Sequence, residues 1–378
     1  MSKIRVLHVV QSMETGGLEI GIVNLVNHSN NDDFIVDILC LRARGELADR
    51  ITNPNSQVFF DGNQGHGKLL AIKKVYRQCK QQQYDIVHSH GYATMLASYI
   101  GATIAGCPYI INGEHGTLYH NSKKEILIQR FLFNRMKLNL SVSQVLTDTI
   151  CQLFSVSQDK FQTIINGVDT EKFIPEPEPQ LIKQKLQNEI GLTDSNIAIG
   201  SVGRLVAVKN YPSLIRAMAL VKSEVPQAKL LLAGEGTERA KLESLISELE
   251  LTQQVILLGR RDDVPDLMKL YDIFVLPSFS EGLSNTLLES MASGTPVVAS
   301  KVGGNAEIVA DGRSGYLYAS DDAQGLAKIL IELAREKDNC KNLGQQARQH
   351  IEDNFSIATM VKHYEDTYQA LVLTQGRS

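Results

Sequence analysis

The sequence predicts an α/β protein of two similar-sized domains, each built on a parallel sheet. Three observations carry this. The chain has 378 residues, more than one domain usually holds. Short apolar runs alternate with longer helical patterns, the β-α-β order of a parallel sheet. Several runs are apolar throughout rather than at every second position, as strands covered on both faces are.

In the first half, the predicted strands are 4–10, 34–41, 84–88, 108–112, 138–142 and 161–165, with helices at 18–28, 68–82, 92–105 and 143–154. The series then breaks. Residues 173–180, Phe-Ile-Pro-Glu-Pro-Glu-Pro-Gln, hold three of the ten prolines. Each proline biases the residue before it away from helix, so the piece reads as a linker. A second series follows, with strands at 197–202, 229–233, 255–258, 273–276 and 296–299 and helices at 211–223, 238–249, 286–292 and 323–335. The expected boundaries are a first domain at 1–170, a linker at 171–195, a second domain at 196–352 and a closing segment at 353–378, whose helix fits neither series.

Hydrophobic residues at 43% and charged residues at 21% describe an ordinary globular protein. A net charge of −4 argues against nucleic acid as the main partner, because a phosphate backbone demands a basic footprint. Five scattered cysteines without a C-x-x-C pair suit a reducing compartment. The chain opens directly on a strand-like run, with no leader pattern and no apolar stretch long enough to span a bilayer, so a cytoplasmic location is expected.

The chemistry-bearing residues gather where predicted strands end. Gly16-Gly17 lies between the first strand and its helix. It reads as a phosphate contact at a helix N-terminus or as a plain tight turn. Arg204 and Lys209 follow the first strand of the second domain, at the carboxyl end where α/β sheets bind ligands. A planar fork and a point charge suit a diphosphate; a pair of solvated surface cations is the plainer reading. Gly234-Glu-Gly236 is half a dinucleotide fingerprint, with Arg239 in the third glycine position, and reads as a tight β-α turn. Glu281 and Glu289 flank a helix start at 282–286, a potential anion site with a carboxylate beside it for sugar hydroxyls. The plainer reading of Glu281 is an acid well placed near a helix N-terminus. His88 and His90 share a strand face, and His115 ends the next strand. Three histidines near one sheet edge could hold zinc. A polar active-site role for His115 is the better reading. No Asp-x-Asp ends a strand, so the expectation is no metal and no cofactor, with cations and amides neutralising a diphosphate.

An ordered set of segments runs along nearly the whole chain. These are Gly-Gly-Leu-Glu at 16–19, His-Ser-His-Gly at 88–91, Gly-Glu-His-Gly at 113–116, Asn166-Gly-Val-Asp169, Gly203-Arg-Leu with Lys209-Asn, Gly-Glu-Gly at 234–236, and Glu281 to Glu289 followed by Met-Ala-Ser-Gly-Thr-Pro-Val-Val. Together they resemble glycosyltransferase family 4, the retaining GT-B enzymes, and are similar to bacterial exopolysaccharide and lipopolysaccharide transferases. The resemblance implies two Rossmann-like domains whose parallel sheets face a central cleft, with the last helix crossing back to the first domain. It implies that Glu281 contacts the donor sugar, Glu289 the ribose, and Arg204 and Lys209 the diphosphate. His115 would lie near the transferred sugar, Gly16 and Gly17 in a loop closing over the phosphates, and Arg260 in the loop that holds the base. Gly203, Gly282, Leu283, Ser284 and Asn285 would complete the donor site.

The implied activity is retaining transfer of a hexose-type sugar, from a UDP- or GDP-linked donor to a glycan or lipid-linked acceptor, in cell-surface polysaccharide synthesis. A sugar-nucleotide epimerase and a NAD-dependent oxidoreductase are rival enzyme readings, and a non-catalytic sugar-binding protein is the third. Residues 123–137 carry five cations and one acid among apolar residues. A helix there would pack on the sheet and could also touch the inner face of the membrane.

Overall fold

The computed structural model describes residues 3–14, 16–62, 67–116, 122–175 and 180–373. The backbone divides into two compact units, Met1–Gly167 with Ile357–Ser378, and Val168–Ser356.

In the first unit the chain runs β1 (Ile4–Val10), α1 (Gly17–His28), β2 (Phe34–Cys40), β3 (Val58–Phe59), α2 (Lys68–Gln82), β4 (Ile86–His90), α3 (Tyr92–Ala105), β5 (Tyr109–Glu114), α4 (Lys123–Arg135), β6 (Leu138–Ser141), α5 (Gln144–Phe154) and β7 (Phe161–Thr163). The strands form one parallel sheet in the order β3-β2-β1-β4-β5-β6-β7. Val6, Leu7 and Val9 of β1 are all wholly buried, so both faces of this central strand are covered. That is why its sequence lacks alternation.

In the second unit the order is α6 (Gln180–Ile190), β8 (Ile197–Val202), α7 (Tyr211–Glu224), β9 (Ala228–Ala233), α8 (Arg239–Glu248), β10 (Val255–Gly259), α9 (Val264–Leu270), β11 (Ile273–Leu276), α10 (Asn285–Ala292), β12 (Val297–Ser300), α11 (Asn305–Ile308), β13 (Tyr316–Tyr318), α12 (Ala323–Arg335) and α13 (Lys337–Asn354). Its sheet is again parallel, ordered β10-β9-β8-β11-β12-β13. Ile199, Leu214, Met218, Leu230 and Ile273 anchor its core. The chain then returns to the first unit as α14 (Ile357–Leu373), whose Ile357, Met360, Val361, Tyr364, Tyr368 and Leu371 pack into the same core as Val6, Val10 and Ile86.

The differences from expectation have local causes. The third strand, expected at 84–88, forms at Ile86–His90. Tyr84 and Asp85 are occupied laterally instead, with Tyr84 Oη donating to Asp37 Oδ2 at 2.7 Å and Arg5 N donating to Asp85 Oδ2 at 2.8 Å. The strand thereby carries both His88 and His90 inside the sheet. Helix α13 escaped the periodicity because its buried residues, Cys340, Leu343, Ala347 and Ile351, are sparse in a polar segment. Helix α6 lies inside 171–195; of the proline-rich stretch there, 176–179 lie outside the described residues.

Candidate active site

The second sheet reverses its winding between β8 and β11: β9 and β10 continue outward from β8, β12 and β13 from β11. At such a switch point the loops leaving the carboxyl ends diverge and open a crevice. Arg204 and Lys209 lie in the segment after β8, and residues 278–284 follow β11. Lys209 Nζ contacts Glu281 Oε1 at 2.6 Å, with the two side chains 17% and 10% exposed. Ser278 Oγ donates to the same oxygen at 2.5 Å. Phe279 N donates to Val208 O at 2.8 Å, fastening the two loops together. A third loop supports them from β12. Gly303 adopts φ +50°, and a Cβ there would lie 1.7 Å from the Glu281 carbonyl oxygen. Only glycine allows this approach, and Gly304 N donates to Gly282 O at 3.1 Å beside it.

Arg204 is exposed and makes no ion pair among the described residues. Its loop is held by backbone bonds: Gly203 N to Ala233 O at 3.0 Å, Leu205 N to Glu235 O at 2.9 Å, and Gly234 N to Gly259 O at 2.8 Å. The carboxyl ends of β8, β9 and β10 therefore form one backbone-bonded rim. Arg260, on the β10 loop, is exposed and reaches Asp262 only at 3.9 Å. Its neighbour Arg261 is committed to Glu189 at 2.5 Å and Asp263 at 2.6 Å, so of the pair Arg260 is the one available to a ligand. Arg239 joins Glu235 at 2.5 Å and Glu243 at 2.9 Å, where a dinucleotide fingerprint would need a small residue. Gly282, Leu283 and Ser284 lead into α10, with Ser284 as N-cap and Asn285 as first residue. The positive end of its dipole favours an anion at this point. Glu289 lies further along α10, where burial pushes its carboxyl up to about 7 against the opposing pull of Lys172.

In the first unit, Gly16 caps the N-terminus of α1 with an extended backbone, φ −163°. Conformation does not demand glycine there. A Cβ would meet only the flexible Glu19 side chain. His115 lies immediately after β5. It joins a cluster that sequence reasoning saw only in part. His8 of β1 stands opposite His88 of β4 in register, at the point where this sheet reverses between β1 and β4. His8 Nδ1 and His90 Nε2 are 2.8 Å apart, and His90 Nδ1 and His115 Nε2 are 2.9 Å apart. Tyr368 Oη lies 2.9 Å from His88 Nδ1 and 3.2 Å from His8 Nε2.

Burial depresses all four imidazoles, His8 to about 3, His115 to about 4, and His88 and His90 well below their ordinary value; mutual repulsion adds to this for His8, His88 and His90. They are neutral. Nitrogens of His8, His88 and His90 lie within 4.8 Å of one another. Most of those nitrogens are already spent on one another and on Tyr368, so the trio is poorly disposed to hold zinc. Beside them Glu114, buried at the end of β5, accepts from Asn112 Nδ2 at 2.9 Å and is raised by burial to about 7.

The chain has relatives in sequence and in fold. A family model described as Glycosyltransferase Family 4 matches residues 15–172, and one described as Glycosyl transferases group 1 matches residues 182–350. An uncharacterised glycosyltransferase from Methanocaldococcus jannaschii is 30% identical over 78% of this chain and 77% of its own length. This chain belongs to glycosyltransferase family 4. The UDP-Gal:alpha-D-GlcNAc-diphosphoundecaprenol alpha-1,3-galactosyltransferase of Escherichia coli is similar over 99% of both chains at 26% identity. Among solved structures, Anabaena HepE in complex with UDP aligns with a TM-score of 0.83 at 25% identity, over 97% of this chain and 100% of that one. A glycosyltransferase from Rickettsia africae aligns with a TM-score of 0.87 over 98% and 99%, and at 19% identity it bears on the fold alone. The fold is GT-B, two Rossmann-like α/β units.

Within this glycosyltransferase, sequence reading missed His8, Ser278, Gly303 and Tyr368. A histidine inside the apolar run 4–10 was the available sign for His8, since a polar residue in a strand buried on both faces must find a partner. Gly303-Gly304 after β12 carries the same strand-end glycine pair that drew attention to Gly16-Gly17. Nothing local marks Tyr368, whose partners lie 280 and 360 residues away.

Proposed function

We propose that this enzyme transfers a hexose from a UDP-linked donor to a glycan or lipid-linked acceptor in cell-surface polysaccharide synthesis, with retention at the anomeric carbon. The observation that carries the reading is the Lys209–Glu281 pair at the β8/β11 switch point, beside the exposed Arg204 and the start of α10. UDP is favoured over GDP because the E. coli relative is named for UDP-Gal and Anabaena HepE for complexes with UDP and UDP-glucose. The diphosphoundecaprenol acceptor in the E. coli relative's name supports a lipid-linked acceptor. Within this reading Arg204, Lys209 and the α10 N-terminus hold the diphosphate, Glu281 accepts from sugar hydroxyls, Glu289 binds the ribose, and Arg260 lies by the base. Gly16, Gly17 and His115 are assigned to donor binding as well.

In the step itself, the bond between the anomeric carbon and the β-phosphate oxygen breaks ahead of attack. The acceptor hydroxyl adds on the same face, its proton goes to the leaving phosphate oxygen, and UDP departs. The protein positions the partners and stabilises the charge that develops on the phosphate. Such a site needs no divalent cation, because cations and a helix terminus do that work.

The test is incubation with a panel of nucleotide sugars and lipid-linked acceptors, with and without EDTA, and assignment of the product anomer. Transfer from a UDP-hexose that survives EDTA, with the donor's anomeric configuration kept, is the expected result. An inverted product, epimerisation without transfer, or loss of activity in EDTA restored by Mg²⁺ overturns the corresponding part. A peripheral membrane role for α4 is part of the same reading. Its Gln129, Leu132 and Phe133 are buried, while Leu127 at 65% and Phe131 at 50% exposure lie outward with Lys123, Lys124, Arg130 and Arg135.

A further inference from the structure

The buried histidines form a chain whose protons can be counted. From one end it runs His115, His90, His8, Tyr368, His88, linked by four contacts of 2.9, 2.8, 3.2 and 2.9 Å. The two end atoms, His115 Nδ1 and His88 Nε2, are buried and have no partner among the described residues. Four neutral imidazoles and one phenol bring five protons. Four of these fill the four hydrogen bonds, leaving one for an end atom. Only two arrangements then satisfy every link. In one, all four rings carry their proton on Nδ1, His88 donates to Tyr368, Tyr368 to His8, His8 to His90, and His90 to His115. In the other, all four carry it on Nε2 and every arrow reverses. No ring can change tautomer alone without breaking a link.

The ends are not equivalent. His88 is wholly buried, and the space beside its Nε2 is bounded by Gly113, where a Cβ would lie 2.9 Å from His88 Nε2, 2.9 Å from His115 Nε2 and 3.3 Å from His90 Nδ1. In the Nε2 arrangement two N–H groups crowd that spot, one of them without an acceptor. In the Nδ1 arrangement only the His90 N–H points there, facing two bare nitrogens. Either arrangement leaves one end N–H without an acceptor among the described residues, and an orphaned buried N–H is costly. His88 is wholly buried, so its end has no outside acceptor, whereas His115 is only half-buried as a residue, so a bound ligand can supply one there.

We propose that this chain locks His115 as a neutral imidazole with its proton on Nδ1, a fixed hydrogen-bond donor to an oxygen of the sugar donor, and that His90 and Tyr368 are positioning residues for that role. The assignment of the acceptor rests on the proposed transfer reaction; the tautomer does not. An Nδ1–H donor cannot serve as a base at that atom, so His115 orients and polarises rather than removing a proton. Tyr368 brings α14 into the arrangement, because among the described residues its hydroxyl is the hydrogen-bonding link between His88 and the other three rings.

The test is long-range ¹⁵N–¹H NMR on the full-length protein labelled at its nine histidines. At pH 7.5 the expected spectrum assigns His8, His88, His90 and His115 as neutral, with a protonated Nδ1 and a bare Nε2. Any of the four found as the Nε2–H form, as a mixture, or as an imidazolium overturns the proposal. This measurement needs no variant and no substrate, so it stands apart from failure of the transfer reading. Two variants extend it. His90→Asn keeps an amide N–H near the Nδ1 position, and His90→Leu does not. The first should retain His115 as Nδ1–H and at least ten times the kcat of the second, with donor KM changed less than twofold. Tyr368→Phe should turn the uniform tautomer state into a mixture and lower kcat about tenfold, the equivalent of one orienting hydrogen bond. Equal activity of the two His90 variants, or an unaltered His115 signal in Tyr368→Phe, contradicts the coupling.

Discussion

Removing Lys209 tests the donor site where its geometry is tightest. The Nζ to Oε1 distance of 2.6 Å is that of a charge-assisted hydrogen bond, and both side chains are more than four-fifths buried. At an effective dielectric of about 20, the Coulomb attraction at this separation is about 6 kcal/mol. Desolvation of both groups cancels most of it. Taking Lys209 away leaves Glu281 with the Ser278 hydroxyl, which donates to it at 2.5 Å, and costs about 2–3 kcal/mol. Losing a preorganised cation from the diphosphate should cost transfer about a hundredfold, which is about 2.7 kcal/mol in the barrier. The informative experiment is a double-mutant cycle of Lys209→Ala and Glu281→Gln, read as kcat/KM for the nucleotide sugar. Each single change should cost about a hundredfold. The pair should cost clearly less than the product, with a coupling of about 1–3 kcal/mol, because the residues touch. Near-normal turnover in either single variant refutes the donor-site assignment. Strict additivity refutes the idea that the ion pair is a working unit.

Three further outcomes follow from burial and charge. Glu114 titrates near 7 when folded against an ordinary 4.5, so its contribution to stability is present below 4.5 and is lost as pH rises toward 7; Glu114→Gln, which can still accept from Asn112, should raise stability by about 3 kcal/mol at pH 8 and by little at pH 4.5, and equal effects at the two pH values would count against it. The four buried histidines have depressed folded values, so their contribution is full above 6.5 and is lost as pH falls. Acid unfolding should therefore steepen below pH 6.5 by up to about 5 kcal/mol per pH unit, partly offset by Glu114, and a flat profile between pH 6.5 and 5 would be inconsistent with a neutral cluster. For α4, flotation with anionic vesicles should be salt-sensitive and lost when Lys123, Lys124, Arg130 and Arg135 are changed together to Gln; a variant that floats like wild type excludes this helix as the anchor.

Much of the fold was legible because parallel strands buried on both faces write continuous apolar runs into the sequence. The strands at 4–10, 197–202 and 273–276 coincide with β1, β8 and β11 to the residue. Strand-end loops were legible for a related reason: Arg204, Lys209 and Glu281 are charges placed just after such runs, at the carboxyl ends where α/β sheets bind ligands. What stayed hidden depends on sequence-distant pairing. β3 and β13 are two and three residues long and exist by leaning on β2 and β12. The return of α14 to the first unit was implied by the family resemblance; its packing into the core of β1 and α1 could not be read from its own periodicity. The histidine chain needs three strands and α14 to be in place at once. Of its members only His88, His90 and His115 drew notice, as three histidines near one sheet edge and, for His115, as a polar active-site group, but not as partners for one another.

On the proposed reading, a nucleoside diphosphate is held at the carboxyl ends of β8 and β11. Calorimetric titration of UDP into wild type, Arg204→Ala and Lys209→Ala tests it without any acceptor or turnover. Wild type should show one site, and each variant an affinity at least tenfold weaker, about 1.4 kcal/mol or more per lost cation. Unchanged UDP affinity in both variants would contradict it.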